Sequence, residues 1–251
     1  MPFTHPEMKA MIFAAGLGKR LKPITDTKPK ALVDINGRPL LDLLIKKLIS
    51  YGFNQIIINV HHFSGLIIDF LKNQNYIDAS ISISDESELL LDTGGGLKKA
   101  ASFFDDGKAF LIHNVDVLSN INLDWLYQSH MKNNTLATLV CQERKSTRQF
   151  LVNSSNELCG WKNNKTGEVK ISSEADNFLR PLAFCGIQVV NPKLLNLITE
   201  TGVFSITDLY LRLSSKYPIK LLPFNDATWI DIGSPENLKK AGLMKKELGM
   251  E

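Results

Sequence analysis

The 251 residues include only three cysteines, Cys141, Cys159 and Cys185. They are widely spaced, odd in number and without C-x-x-C spacing. The sequence therefore offers neither a disulfide framework nor a zinc site, as expected in a reducing compartment. Charge of one sign is also scarce: 29 Lys and Arg face 26 Asp and Glu, a formal net charge of +3. The basic residues are scattered, and Lys239-Lys240 and Lys245-Lys246 read as the exposed face of a terminal helix. The basic stripe that nucleic acid requires is missing, so no nucleic-acid partner is expected. No uninterrupted apolar run approaches the roughly 20 residues that span a bilayer, and Met1 to Lys9 lacks the apolar stretch of a signal peptide. A soluble, cytoplasmic protein without a membrane partner is expected, with Pro2 to Glu7 a loose leader and Met8 an alternative start. There is no internal repeat and no low-complexity segment. A G-x-x-x-x-G-K-[ST] pattern is absent too, which excludes a P-loop as a motif.

What is present is a core. Hydrophobic residues make up 44% of the chain, enough for one sizeable α/β domain with a small appended part. Met8 to Phe13 reads as a buried strand, Pro39 to Tyr51 as a helix closed by Gly52, and Gln55 to Val60 as a second strand. Ser64 reads as the cap of a helix reaching about Asn73. Ser80 to Ser84 alternates like a strand. Gly94 to Phe103 reads as a helix opening on three glycines, in a turn that needs positive φ. Ala109 to His113 is a further core strand, Leu123 to Asn133 a helix and Thr135 to Gln142 a strand. From Arg144 to Asp176, short strands and polar turns suggest a β-rich insertion. Leu182 to Val190 reads as a strand, Pro192 to Glu200 and Ile206 to Ser214 as helices, and Ile219 to Pro223 and Thr228 to Ile232 as strands. Ser234 to Leu248 closes the chain as a helix, with Ser234 its N-cap and Pro235 its first residue. The βαβα alternation implies a mostly parallel sheet flanked by helices. Ligands would gather beyond the carboxyl ends of its strands.

Three segments fall at such strand ends: the loop Ala14-Ala15-Gly16-Leu17-Gly18, the region around Asp85, and Asp116. The first is the most informative. Glycines let backbone N–H groups approach phosphate oxygens that a Cβ would keep away, and two cations follow. Arg20 can fork onto a phosphate, and Lys30 can place a point charge on another. The stretch is no dinucleotide fingerprint, because Leu21 stands where the third glycine belongs and Pro23 interrupts the following helix. On the glycines alone, a tight strand-to-loop turn with solvated basic residues remains an equal reading.

The longer pattern Ala14-Ala15-Gly16-x-Gly18-x-Arg20-Leu21-x-Pro23-x-Thr25, then Pro29-Lys30-Ala31-Leu32 and Gly37-x-Pro39-Leu40, resembles the opening of the sugar-1-phosphate nucleotidyltransferases. The compact length and the Asp92-Thr93-Gly94-Gly95-Gly96 segment look closest to the N-acetylmuramate-1-phosphate uridylyltransferase and mannose-1-phosphate guanylyltransferase-like branch. The resemblance implies a Rossmann-like fold with a small β-rich sugar-binding insertion. It implies one nucleotidyltransferase domain over 1–251: a nucleotide-binding core (8–143), a sugar-binding part (144–190) and C-terminal helices with a metal-binding strand (191–251). No room is left for the C-terminal β-helix that some members append.

The implied reaction joins a nucleoside triphosphate, UTP or GTP first, to a sugar 1-phosphate with Mg2+ as cofactor, in a monomer or small homo-oligomer that supplies cell-wall or polysaccharide precursors. Arg20 and Lys30 would be catalytic. Ala15, Gly16, Leu17, Gly18, Gly94, Gly95 and Asn114 would meet the nucleotide, and Gly186 the sugar. Asp116, in Asn114-Val115-Asp116, and Asp231, in Trp229-Ile230-Asp231-Ile232-Gly233-Ser234-Pro235, would hold the metal. A base-contacting residue is expected within Ser84-Asp85-Glu86.

The family's E-K-P segment is replaced by Leu158-Cys159-Gly160-Trp161-Lys162, where Lys162 can stand for the lost lysine and no carboxylate does. Trp161 reads as a cover for the core. His61 and His62, adjacent on an extended segment, point opposite ways and read as strand-end residues rather than metal ligands; His113 reads the same way. Two other classes remain in play. One is a cytidylyltransferase making a CDP-alcohol such as CDP-choline, with an amine cage from Trp161, Phe178 and Phe184. The other is a catalytically silent nucleotide-sugar-binding scaffold or regulator.

Overall fold

The computed structural model describes residues 8–173 and 178–249. The Pro2–Glu7 leader, and Asp176 at the end of the expected insertion, lie outside them. In chain order the strands are β1 (Met8–Phe13), β2 (Asp34–Ile35), β3 (Arg38–Pro39), β4 (Phe53–Val60), β5 (Ser80–Asp85), β6 (Phe110–Asn114) and β7 (Val117–Ser119). There follow β8 (Ala137–Gln142), β9 (Arg148–Val152), β10 (Leu158–Asn163), β11 (Val169–Ile171), β12 (Arg180–Val190), β13 (Ile219–Pro223) and β14 (Trp229–Asp231). The helices are α1 (Leu40–Ser50), α2 (Ser64–Lys72), α3 (Asp92–Lys99), α4 (Leu123–Lys132), α5 (Ile206–Ser214) and α6 (Pro235–Leu243). The α/β reading with strands and helices in this order holds. Two compact units emerge, one from Met1–Leu90, Ile112–Ile121 and Thr228–Glu251, the other from Leu91–Leu111 and Asn122–Ala227.

In the first unit the strand order is β6-β1-β4-β5. The β1–β4 and β4–β5 ladders are parallel, with Ile12 beside Ile58 and Ile58 beside Ile83. Ala10, Met11, Ile12, Ile56 and Ile58 are fully buried, the near-continuous apolar pattern of strands covered on both faces. Helix α1 buries Leu40, Leu41, Leu44, Ile45 and Leu48 on one stripe. It ends where Gly52, at φ +83, turns the chain, a left-handed exit that glycine permits without strain. Strands β7 and β14 pair antiparallel. Beneath them one apolar cluster gathers Leu21, Val33, Leu118, Ile230, Ile232 and Ala241. Three distant stretches of chain thereby share a floor.

In the second unit β9, β10 and β11 form an antiparallel set that β12 joins through β9, the expected β-rich part. Strand β12 also pairs antiparallel with β8, and β8 runs parallel to β13. The β12–β8 register shifts between Phe184 and Gln188, and Gly186 within that bulge takes φ +74.

Four local readings are corrected. Ser64 is the first residue of α2, not its cap; Phe63 holds the cap position at φ +54 and no side chain caps there. The stretch from Pro192 ends as a 3-10 turn at Leu197. The final helix stops at Leu243, because the chain turns back to bury Leu248 in the apolar cluster. Helix α3 starts at Asp92, so the three glycines lie inside it with helical backbone. The positive φ belongs to Asp92 at +59, whose carboxylate accepts the Thr93 N–H at 2.6 Å. The N-cap reading of Ser234 holds: its hydroxyl accepts the Asn237 N–H at 3.2 Å.

Candidate active site

The loop after β1 folds into three short 3-10 turns, Lys19–Leu21, Ile24–Asp26 and Lys30–Leu32. Proline spacing forbids a longer helix there. Gly18 needs to be glycine for internal reasons: its φ is +63, and a Cβ would lie 2.9 Å from Thr25 Cγ2 and 3.3 Å from Lys30 Cβ. Its carbonyl accepts from Leu21 N at 2.8 Å and from Thr25 Oγ1 at 2.9 Å. Gly16 is different. Its φ is not in the left-handed region, and a Cβ there would meet nothing within 4 Å. The protein itself gives no reason for glycine at 16, which leaves room for a ligand to approach the backbone. Ala15 is buried and Leu17 half-buried beside it.

Arg20 and Lys30 both face strand-end carboxylates. Lys30, buried by the turn that carries it, forms an ion pair with Asp116. Arg20 Nη2 stands 3.6 Å from Asp231 Oδ2. The two carboxylates are brought together by backbone: Ile232 N–H donates to the Asp116 carbonyl at 2.8 Å, and Asp231 sits opposite Val117 in the β7–β14 ladder. The Phe13 carbonyl accepts from Val115 N at 3.1 Å, which ties the root of the glycine loop to the same strand end. Asn114, half-buried, closes β6 two residues before Asp116. Asp231 Oδ1 is buried and has no hydrogen-bond partner. Buried carboxylate oxygens rarely stay unsatisfied without a functional reason.

These residues fit a hard divalent cation. Such an ion keeps several waters and needs only one or two carboxylates beside phosphate oxygens. Asp116 and Asp231 would supply those two, and the buried, unpartnered Asp231 Oδ1 is a polar atom that such an ion would satisfy. No group of three or more His, Cys, Asp or Glu capable of holding a metal occurs among the described residues.

Gly233 completes this arrangement; the sequence presented it as part of the segment around Asp231 and not as a site residue. A Cβ on it would lie 2.5 Å from Asp231 Oδ1 and 2.6 Å from Arg20 Nη2, so a side chain there would push this guanidinium and carboxylate out of their present positions. Its signal was available as the one glycine between a strand-end Asp and a helix cap. Asn59 was also missed; a lone amide in the apolar run Ile56 to Val60 is its trace. The expected base-contact stretch divides into three. Glu86 is 1% exposed and accepts from Asn59 Nδ2 at 2.7 Å. Asp85 accepts from Ser87 N at 2.9 Å, and Ser84 is buried. His61 Nδ1 meets the Glu86 carbonyl at 2.7 Å, and His113 is buried, both as packed strand-end residues.

Gly94, Gly95 and Gly186 belong to the second unit. The N–H groups of Gly94 and Gly95 donate to the Phe204 carbonyl at 2.9 and 3.2 Å. A Cβ on Gly94 would strike the Phe204 ring at 2.4 Å, and one on Gly95 the Gly202 carbonyl oxygen at 2.5 Å. Trp161 is half-buried, with Lys170 Nζ 5.4 Å from its ring centroid. Phe184 meets Phe150 edge-on at 6.0 Å.

The profile of a family described as nucleotidyl transferase matches residues 9–247. The chain is 29% identical over 238 residues to an N-acetylmuramate alpha-1-phosphate uridylyltransferase of Caulobacter vibrioides, covering 90% of this chain and 92% of that one. It is 30% identical over 241 residues to a protein of the same name from Neisseria meningitidis serogroup B, covering 93% and 96%. Among solved structures, a UDP-glucose pyrophosphorylase from Acinetobacter baumanii shares the fold with a TM-score of 0.78 at 18% identity, over 97% of this chain and 96% of that one.

Proposed function

Because the chain belongs to the nucleotidyl transferase family, we propose that it transfers a nucleotidyl group from a nucleoside triphosphate, UTP or GTP, to a sugar 1-phosphate. The products are pyrophosphate and a nucleotide sugar for cell-wall or polysaccharide precursors. The observation that carries this reading is the pairing of two loop cations with two strand-end carboxylates: Lys30 with Asp116 and Arg20 with Asp231. Two relatives that this chain spans almost end to end are named uridylyltransferases, so UTP is the first choice.

The nucleophile is a phosphate oxygen of the sugar 1-phosphate and is already anionic, so no general base is needed. That oxygen bonds to the α-phosphorus while the bond from the α-phosphorus to the bridging oxygen of the β-phosphate breaks. The obstacle is repulsion between anions, and catalysis is mainly positioning and charge stabilisation. Asp116 and Asp231 would hold Mg2+, which when bound offsets negative charge on the phosphates. Lys30 and Arg20 exchange carboxylate for phosphate, Lys30 near the reacting phosphorus and Arg20 on the departing pyrophosphate. The open backbone at Gly16 offers its N–H to phosphate oxygens. Asn114, Gly94 and Gly95 are assigned to the nucleotide and Gly186 to the sugar by resemblance. Since the Gly94 and Gly95 amides already donate to Phe204, any contact they make is through carbonyl or carbon atoms.

The test is pyrophosphate release with Mg2+ over UTP, GTP, CTP, ATP and dTTP against several sugar 1-phosphates and phosphocholine. Release with UTP or GTP and one sugar 1-phosphate is expected, and it should vanish on chelation. Release only with CTP and phosphocholine would replace this reading with the CDP-alcohol one. Silence with tight nucleotide-sugar binding would replace it with the scaffold one.

A further inference from the structure

The ladder between β1 and β4 ends at the pair Phe13–Asn59. The next donor, Ala14 N–H, is the first backbone group of the glycine loop and would be an orphan past the ladder. It donates to Asn59 Oδ1 at 2.8 Å. The other end of the same amide, Nδ2, donates to Glu86 Oε1 at 2.7 Å. Asn59 is 3% and Glu86 1% exposed. A backbone N–H can only donate and a carboxylate oxygen accepts, so the two partners admit only one orientation of the amide.

From this geometry we infer that Asn59 is a positioning residue for the nucleotide-binding loop, with Glu86 its orienter. The inference rests on the nucleotidyl-transfer reading of that loop. Glu86 holds the Asn59 amide, and the amide holds Ala14 where the loop leaves the sheet. The Phe13 carbonyl accepts from Val115, and the Asp116 carbonyl accepts from Ile232. One hydrogen-bonded chain therefore runs from a buried carboxylate through the root of the phosphate loop to both metal-side aspartates. Asn59 is buried, with both ends of its amide bound inside the protein; it sets where Ala15 to Gly18 point.

The test exchanges donor and acceptor. N59D keeps an oxygen for Ala14 but sets it against the Glu86 carboxylate. E86Q keeps an acceptor for Asn59. The double variant N59D/E86Q reverses the pair and satisfies it again. N59D is expected to raise KM for the nucleoside triphosphate about tenfold to a hundredfold, the effect of a buried polar group left unmatched, with KM for the sugar 1-phosphate changed far less. Hydrogen exchange at residues 14–18 should quicken in N59D, and the double variant should return both readouts towards wild type. The inference falls if N59D equals wild type in both, or if the double variant is no better than N59D. Should N59D fail to fold, a folded double variant with wild-type KM supports the pairing; one with raised KM, or one that also fails to fold, overturns it. If wild type releases no pyrophosphate with any pair, the nucleotidyl-transfer reading has failed. The exchange readout then decides the inference alone: restored protection in the double variant supports it, and protection unaffected by N59D overturns it.

Discussion

The chain carries two glycine segments that read alike and serve opposite purposes. At Gly16 a Cβ would meet nothing within 4 Å; at Gly94 and Gly95 it would strike Phe204 and Gly202 at 2.4 and 2.5 Å. The first glycine leaves space that the chain does not use. The second pair leaves space that the chain fills at once, letting α3 pack against the Gly202–Phe204 turn, whose Phe204 carbonyl accepts both α3 amides. A glycine therefore marks closeness, and only the surroundings say whether the close partner is a ligand or the protein itself.

The largest expected effect tests what the open side of this comparison is for. Replacing Lys30 or Asp116 with Ala should lower the transfer rate by about two decades or more, the scale of deleting one preorganised electrostatic group. Steady-state rates measured beside far-ultraviolet circular dichroism would show it, and near-normal turnover in either variant would remove the assignment. On the filled side, Gly95→Ala should lower unfolding free energy by about 1–3 kcal/mol, as overpacking against a fixed carbonyl does. Denaturant titration reads this directly, and an unchanged midpoint would mean α3 has slack that the geometry does not show. Gly16→Ala should leave stability within about 0.5 kcal/mol while raising KM for the triphosphate several-fold. A clear stability loss with unchanged KM would erase the distinction between the two segments.

The last prediction carries the comparison from shape to charge. His113 is buried, its Nε2 has no partner, and burial, reinforced by the Lys47 charge, lowers its pKa from 6.5 to about 3. Between those values the unfolded chain binds the proton and the folded chain does not. Stability contributed by this group is therefore complete above about pH 6.5 and lost as pH falls towards 3. His113→Gln should flatten the stability profile over that window and change little at neutral pH. A profile as steep as wild type would assign the acid lability to other groups.

Much of this was legible in advance. Strand-end positions of the Gly16 loop, the Asp85 region and Asp116 followed from the apolar runs, Asp231 was singled out only by family resemblance, and Ser234 and Pro235 marked the start of α6 by cap chemistry alone. The misreadings came where local signals compete. Ser64 is a good cap by type, yet Phe63 takes the cap position at φ +54, held by tertiary packing that propensity does not see. The Gly94-Gly95-Gly96 run looked like a turn because three glycines lower helix propensity, but packing against Phe204 outweighs that cost. Asn59 and Gly233 were given no role because their importance lies in partners 45 and 213 positions away: Asn59 reaches Ala14, and Gly233 makes room for Arg20.

The sequence by itself determined the order of elements, the apolar strands and helix faces, and the residue types able to meet phosphate and metal. Those depend on local pattern and on side-chain chemistry, which do not change on folding. Tertiary structure alone decided which cation faces which carboxylate, which glycine is open, and which amide anchors the loop. Such pairings join Lys30 to Asp116 and Arg20 to Asp231. They exist only because a shared apolar floor and the β7–β14 ladder bring distant segments within bonding distance.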